Sequence, residues 1–153
     1  MNSPDRDAID LLLDDHRQIK DLLKRLVDGD AAGVPDVTEQ LKRLLTVHNA
    51  TEENLVYPAI HTIAQRPMHA RTLYHQQDDA AVAFWEIGNL QPGDDEFLRK
   101  TADFRDAVLM HIHQEEEHEF PHLREALAPE DALQLSEEVA VFRRTFGGAV
   151  RIA

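Results

Sequence analysis

Two stretches of the chain repeat one arrangement of histidine and glutamate. The first, HNATEENLVYP, runs from His48 to Pro58, and the second, HIHQEEEHEFP, runs from His111 to Pro121. Each has a glutamate four residues after its first histidine, and an aromatic residue directly before its proline. Residues at positions i and i+4 lie on the same face of a helix. Because imidazole and carboxylate groups together suit iron, manganese or zinc, the repeat indicates a metal site.

The glutamates of the two motifs, Glu52 and Glu115, lie on stripes that are expected to face a helical core. A buried carboxylate destabilises the fold by several kcal/mol unless a positive group compensates it. No lysine or arginine occupies the inward positions of these stripes, so a metal ion is the expected compensation. The plainer interpretation, a chance histidine–glutamate pair on a helix surface, does not explain why the motif occurs twice in register with proline.

Two other helical segments offer inward ligands. His16 follows Ile9 and Leu12 on the apolar stripe of the first segment, and His75 and Asp79 share one face of the third. Asp78 takes the place of Asp79 if that helix is rotated. The candidate ligands of the four segments are His16, His48 with Glu52, His75 with Asp79, and His111 with Glu115. This set is larger than one tetrahedral zinc needs and suits two metals bridged by carboxylates.

Other side chains near the second motif have two interpretations each. His118 and His122 continue the inward stripe, either beside the site or exposed near the end of the bundle. Glu116, Glu117 and Glu119 are expected on a solvated face.

A second class of di-iron protein, the ferritin-like one, uses glutamate and histidine at positions i and i+3. Glu115 and His118 have that spacing, but the first copy has Leu55 at the corresponding position. The repeated pattern is therefore histidine followed by glutamate. Tyr57 and Tyr74 are most simply core residues, although either has a phenol that is able to approach the site as a hydrogen-bond donor or ligand.

The composition excludes several functions. The chain has 153 residues, nine histidines, no cysteine and a formal net charge of −13. Thiolate metal sites and disulfides are therefore excluded, and the acidic charge argues against nucleic acid and anionic membranes. The N-terminus is polar, and no apolar run approaches the roughly 18–20 residues of a membrane span. The expected location is the cytoplasm, and the oligomeric state, monomer or homodimer, is left open.

Turn signals divide the chain into four long helical segments and a short one. The segments are expected from about Ser3 (as N-cap), Pro35, Pro67, Asp94 and Pro129. Because the breaks are short, the sequence predicts an all-α, up-down-up-down four-helix bundle with a short C-terminal extra helix. Residues 1–128 would form the bundle, and residues 129–153 a short helix and tail packed on it. A proline inside each motif predicts a kink or a helix end there.

From about Asp14 to Leu127, the chain resembles the hemerythrin-like, or HHE cation-binding, proteins. The resemblance rests on Asp15-His16, on the two motifs above and on YHQQDD in the third segment. It implies a four-helix bundle around two non-haem irons, with manganese or zinc less expected. The ligands it implies are Glu52 and Glu115 as bridges, His16 and His48 on one iron, and His75 and His111 with Asp79 on the other.

Asp79 departs from hemerythrin proper, which has a second histidine at that position. A carboxylate favours the ferric state, whereas reversible oxygen carriage needs a diferrous site that survives oxygen. The resemblance therefore implies a site that binds or reacts with oxygen, peroxide or nitric oxide, and whether the chain is an enzyme is left open. The alternatives are a non-catalytic module that binds or senses oxygen, nitric oxide or iron, and a bundle with a structural metal.

Overall fold

The computed structural model describes residues 6–152, with side chains through residue 148, and every regular element in that range is helical. The α-helices are α1 (Ala8–Asp28), α2 (Val34–Thr51), α3 (Tyr57–Thr62), α4 (Pro67–Gly88), α5 (Asp95–Gln114), α6 (Phe120–Ala126) and α7 (Pro129–Ile152). A short 3-10 helix (Ala31–Gly33) precedes α2. Glu52–Val56 and Glu115–Glu119 form π-helical turns, called here the first and second π turn. The fold is therefore an all-α bundle, as the sequence predicts.

Helix α1 begins later than the sequence predicts. Its N-cap is Asp7, whose side chain accepts a hydrogen bond from the Asp10 amide, while the Asp10 side chain accepts one from the Asp7 amide. This reciprocal capping box satisfies two amides that otherwise have no partner in the first turn. The expected cap, Ser3, lies outside the described residues.

Each predicted proline break is instead a π turn within a continuing helix. Pro58 and Pro121 have no amide hydrogen to donate, so a regular α-helix would lose one hydrogen bond at each. In both places the residue before the proline donates five residues back, from Tyr57 to the Glu52 carbonyl and from Phe120 to the Glu115 carbonyl. Such single-turn widenings often mark functional sites. Here each begins at the glutamate of the repeated motif.

The buried apolar side chains form two clusters, and along their helices His16, His48, Glu52 and Glu115 lie between a residue of one cluster and a residue of the other. The lower cluster includes Leu12, Val56, Tyr57, Ile60, Leu73, Phe120, Leu123, Leu135 and Val139. The upper cluster includes Ile19, Leu23, Leu41, Ile87, Phe97, Phe104, Val108 and Ile112. On α1, for example, His16 separates Leu12 of the lower cluster from Ile19 of the upper one. The helices thus bury a polar layer between two apolar layers.

Helix α7 is longer than the short helix that the sequence predicts. It has 24 residues and continues through Gly147 and Gly148. It packs against α1 and α2, and its Leu135 and Val139 are buried in the lower cluster. The domain boundary after residue 128 and the alternating direction of successive helices stay predictions. Among the described residues, no helix has both the length and the apolar character that a membrane crossing requires.

Candidate metal centre

A group of buried side chains meets between the two apolar clusters. His16, His48, Glu52 and Glu115 each offer a ligand atom, and these atoms lie within 4.8 Å of one another. Three of these side chains are fully inaccessible, and His48 is 2% exposed. They come from α1, α2 and the two π turns, so residues distant in the sequence converge on one point.

The Nε2 atoms of three imidazoles face the two carboxylates. His48 Nε2 lies 2.8 Å from Glu52 Oε1, and His16 Nε2 lies 3.5 Å from Glu115 Oε2. His111 Nε2 contacts Glu115 Oε1 from the other side. Glu115 therefore lies between His16 and His111, which is the position that a bridging carboxylate needs.

The Nδ1 atoms of His16 and His48 face a second layer of carboxylates. His48 Nδ1 lies 3.0 Å from Asp15 Oδ2, and Asp15 is itself bound by Arg143. His16 Nδ1 lies 3.0 Å from Glu116 Oε1, which also accepts from Lys20. A carboxylate partner keeps the proton on Nδ1 and leaves the lone pair on Nε2 free for a cation.

His111 is oriented by a neutral partner. Its Nδ1 lies 2.6 Å from Gln76 Oε1, and the Gln76 amide nitrogen donates to Gln114. With the Gln76 oxygen towards His111, Nδ1 is the donor, so the neutral imidazole carries its lone pair on Nε2. All three imidazoles thus present the same nitrogen to the centre.

Tyr57 and Gln77 complete the buried polar group. The Tyr57 hydroxyl donates to Glu115 Oε1 at 2.9 Å and lies 3.1 Å from His111 Nε2. Gln77 Nε2 donates to that hydroxyl at 2.7 Å and to Glu52 Oε1 at 3.0 Å. Tyr57 therefore contacts His111, Glu115 and Gln77 in a region without solvent.

The two central carboxyl groups titrate in opposite directions. Burial, together with the negative charge of Glu115, raises the pKa of Glu52 well above its ordinary value. Burial alone would also raise the pKa of Glu115, but the charge of His111 holds it well below the ordinary value. Without a cation, the pair therefore keeps a proton on Glu52, since two adjacent buried carboxylates do not both ionise.

The neighbouring groups show the same negative environment. Burial and the charges of Glu115 and Glu52 raise the pKa of Tyr57 well above its ordinary value. Burial alone would lower the pKa of His111, but the charge of Glu115 raises it. Both shifts reflect the negative charge of the buried carboxylates, which a cation would offset.

The atoms without hydrogen-bond partners fit a metal ion. His16 Nε2, Glu52 Oε2 and Glu115 Oε2 are buried and have no hydrogen-bond partner. Buried polar atoms without partners are rare because each is destabilising. These orphaned atoms are one imidazole nitrogen and two carboxylate oxygens, the donor types that iron, manganese and zinc bind. These unpartnered buried atoms therefore show that the residues of the centre fit a metal ion.

The structure does not bring every predicted ligand to this centre. His75 and Asp79 are both exposed on α4, and Asp78 is exposed as well. The expected inward orientation of His75 and Asp79 is therefore corrected. Helix α4 instead buries Gln77, because its apolar inward residues Ala70, Leu73 and Ile87 set a different rotation.

His118 and His122 are exposed, which agrees with the second of their two interpretations. The expectation of a solvated face changes for two of the glutamates. Glu116 supports His16 rather than facing only solvent. Glu119 is 1% exposed and pairs with Arg66 and His69.

Sequence reasoning missed most of the supporting residues. Asp15 was visible only as the neighbour of His16, and Gln76 and Gln77 only as part of YHQQDD. Nothing in the pattern of α7 indicated Arg143. The one sequence feature that indicated further residues at the centre was the aromatic residue before each proline. That residue is Tyr57 in the first copy of the motif and Phe120 in the second. Phe120 stacks on His16 with ring centroids 5.7 Å apart, so the two copies place a phenol and a phenyl ring at the centre.

Comparison with known proteins agrees with this centre. Residues 7–123 match the hemerythrin HHE cation binding domain. A protein described as a DNA nickase from Nostoc sp. (strain PCC 7120 / SAG 25.82 / UTEX 2576) is 25% identical over 135 residues. That match covers 88% of this chain, and the chain spans 38% of the relative's length. No solved structure matches. With the family match covering most of the chain and the buried histidine–glutamate cluster inside it, this chain belongs to the hemerythrin HHE cation-binding domain family.

Proposed function

We propose that this chain is a non-haem di-iron protein that binds or reacts with oxygen, peroxide or nitric oxide. The observation that carries the proposal is the arrangement of three imidazole Nε2 atoms around two buried carboxylates. Family membership supports a cation at this place. The preference for iron over manganese or zinc comes from the resemblance to hemerythrin-like proteins, because the ligand types permit all three metals.

His16 and His48 would hold one ion and His111 the other, with Glu52 and Glu115 shared between them. The exposed His75 and Asp79 have no part in this set. The second ion would then have fewer protein ligands than the first, and the Tyr57 hydroxyl lies 3.1 Å from the His111 Nε2 that would hold it. An incomplete protein ligand set is what an ion needs to accept a small molecule.

When bound, an iron pair supplies electrons and an open position for a small oxidant. The chain's own residues hold and shield that position. Asp15 and Glu116 orient His48 and His16, and the two apolar clusters exclude water. The Tyr57 hydroxyl lies beside His111, where it is able to donate its proton in a hydrogen bond to a bound small molecule.

The DNA nickase activity that the relative's name describes is not part of this proposal. The chain spans 38% of that nickase, and its own net charge is −13. A DNA backbone requires a basic surface, so we propose no nucleic acid partner and no anionic membrane. The cytoplasmic location and the choice between monomer and homodimer stay predictions.

The experiment is a peroxide and oxygen challenge of iron-loaded protein. Protein reconstituted with ferrous iron without oxygen is exposed to air or to hydrogen peroxide, while the visible spectrum and oxygen release are followed. A charge-transfer band that appears on exposure, with iron retained, supports a reactive di-iron site. Oxygen release from peroxide identifies an enzyme, and reversible band formation without turnover identifies a binding or sensing module.

The matched variants are His111→Ala and His75→Ala, which remove one imidazole each. His111→Ala should remove the band, whereas His75→Ala should leave it unchanged. Bound metal with no response to either oxidant would contradict the reactive site and support a structural metal.

A further inference from the structure

A cavity of about 180 Å³ lies between α2, α4 and α5, beside the metal centre. Its apolar walls are formed by Ile19, Leu45, Phe84, Phe104, Val108 and Ile112. The buried residues His48, Gln77 and His111 line it on the side of the centre. Lys42 and Thr46 are exposed lining residues, so the cavity reaches the surface along α2.

This cavity is larger than a diatomic ligand needs. In another protein, an engineered apolar cavity of roughly 150 Å³ stays dry and binds benzene. A cavity of about 180 Å³ therefore has room for a molecule about the size of one six-membered ring. Aromatic walls from Phe84 and Phe104, whose ring centroids are 5.4 Å apart, suit an apolar body of that size.

Gln77 adds a specific polar requirement. Its Nε2 donates to Glu52 and to Tyr57, which fixes the direction of the amide. Its Oε1 is buried and has no hydrogen-bond partner, in a side chain that is only 4% exposed. An unsatisfied buried acceptor is destabilising, and a donor supplied by a ligand would remove that penalty. Water is a poor occupant of a space walled mainly by apolar side chains.

We propose that this cavity binds a small apolar molecule that carries one hydroxyl group, and that the hydroxyl donates to Gln77 Oε1. The apolar body lies in the cavity against the wall that Phe84, Phe104 and Val108 form. The ligand then lies beside His48 and His111 without replacing either. This binding goes beyond the di-iron function and does not require the metal.

The test uses phenol and benzene as probes, which differ by the hydroxyl alone. Each is titrated into the isotope-labelled protein as purified, and amide chemical shifts are followed. We expect phenol to bind saturably at one site, with the largest shifts in residues 76–84 and 104–112. Benzene should bind about tenfold more weakly because it leaves the Gln77 acceptor unpaired.

Two variants separate this cavity from non-specific binding. Ala80 lines the cavity, so Ala80→Leu should abolish binding of both probes. Ala107 is an exposed residue of α5 outside this cavity, and Ala107→Leu should leave both affinities unchanged.

A third variant, Gln77→Leu, removes the proposed acceptor of the hydroxyl. In this variant phenol should lose its advantage over benzene. Metal content is measured on the same samples and is expected to be equal in Ala80→Leu and the parent protein, so that loss of the probes is not confused with loss of the metal.

The proposal is overturned if folded parent protein shows no saturable phenol binding, or if Ala80→Leu binds phenol as well as the parent. Equal affinity for phenol and benzene in the parent would also overturn it, because the hydroxyl would then have no acceptor. A protein that binds phenol as expected but retains no metal would contradict the di-iron function and leave this inference standing.

Discussion

Arg143 on α7 forms two hydrogen bonds with Asp15 on α1, at 2.7 Å from Nη1 and 2.9 Å from Nη2. Asp15 in turn lies 3.0 Å from Nδ1 of His48, a candidate metal ligand. Burial alone would raise the pKa of Asp15, but the bonds to His48 and Arg143 lower it, so the carboxylate stays ionised. Arg143 lies beyond the matched residues 7–123, so a segment outside the family domain contacts the centre through one carboxylate.

The first prediction concerns this connection. Arg143→Ala removes a bidentate pair from an Asp15 side chain that is 4% exposed, while the Arg143 side chain is 23% exposed. We expect a loss of about 1.5–3 kcal/mol in the free energy of unfolding, the range for hydrogen bonds to charged groups. We also expect metal affinity to fall by about tenfold, as for other residues that orient metal-binding histidines. Urea denaturation and competition with a chelator measure the two effects.

Arg144, the next residue on α7, is exposed and provides the control. Arg144→Ala should change neither quantity, and Arg143→Lys should restore part of both because it keeps the charge but not the two-pronged geometry. Equal metal affinity in Arg143→Ala and Arg144→Ala would show that α7 does not act on the centre.

The second prediction is that Glu52→Gln stabilises the metal-free protein while abolishing metal binding. Because the folded-state pKa of Glu52 is raised above 4.5, the folded protein holds a proton that the unfolded chain releases. Stability of the metal-free protein therefore falls as pH rises from about 4.5 towards the folded pKa, by about 1.4 kcal/mol per pH unit. Glutamine mimics the protonated form of Glu52 and does not ionise, so the stability of the variant should not fall with rising pH for this reason.

The measurement is the urea midpoint of metal-free protein at pH 5 and pH 7. Glu52→Gln should gain more over the parent at pH 7 than at pH 5. Glu117→Gln, at an exposed position of the second π turn, controls for removal of one charge. A Glu52→Gln variant that is less stable than the parent at both pH values would contradict the assignment of the proton to Glu52.

The third prediction tests the corrected orientation of α4. His75 and Asp79 are exposed, so His75→Ala and Asp79→Ala should retain the metal content of the parent. His48→Ala removes an imidazole that is buried beside Glu52, and it should lose most of the metal. Elemental analysis after dialysis against a weak chelator gives the comparison. Metal loss in His75→Ala equal to that in His48→Ala would return His75 to the ligand set.

The fourth prediction concerns the buried phenol. Tyr57→Phe leaves Glu115 and Gln77 each without one hydrogen-bond partner, and we expect it to destabilise the protein by about 1–3 kcal/mol. Tyr74→Phe is the matched control. Its hydroxyl donates to the Glu53 carbonyl in a half-buried setting, and its loss should cost about 0.5–1.5 kcal/mol. Thermal unfolding of both metal-free variants provides the test, and a Tyr57→Phe variant as stable as the parent would show that the hydroxyl contributes nothing.

The sequence predicts the parts of the structure that periodicity and duplication encode. The all-α class follows from long helical segments, and the meeting of His16, His48, Glu52, His111 and Glu115 follows from their inward stripes. The rotation of α4 was not predictable in the same way, because its small and polar residues define no clear apolar face around His75. There, packing of Ala70, Leu73 and Ile87 decides that Gln77 is buried.

The periodicity of the sequence does not predict contacts between segments that are distant in the chain. The Arg143–Asp15 pair joins residues 128 positions apart, and only the packing of α7 on α1 and α2 brings them together. Likewise, proline predicts that a regular helix is interrupted but does not distinguish a kink from a π turn. The glutamates of the repeat lie where those turns begin, so the feature that the sequence left open is the one that positions the candidate bridges.

The most direct test of the central claim is the number of irons per folded chain after anaerobic reconstitution and removal of loose metal. The account predicts two irons in the parent protein, and loss of bound iron in the double variant Glu52→Gln with Glu115→Gln. A parent protein that retains no iron, or that holds about one zinc and excludes iron, would contradict the di-iron centre.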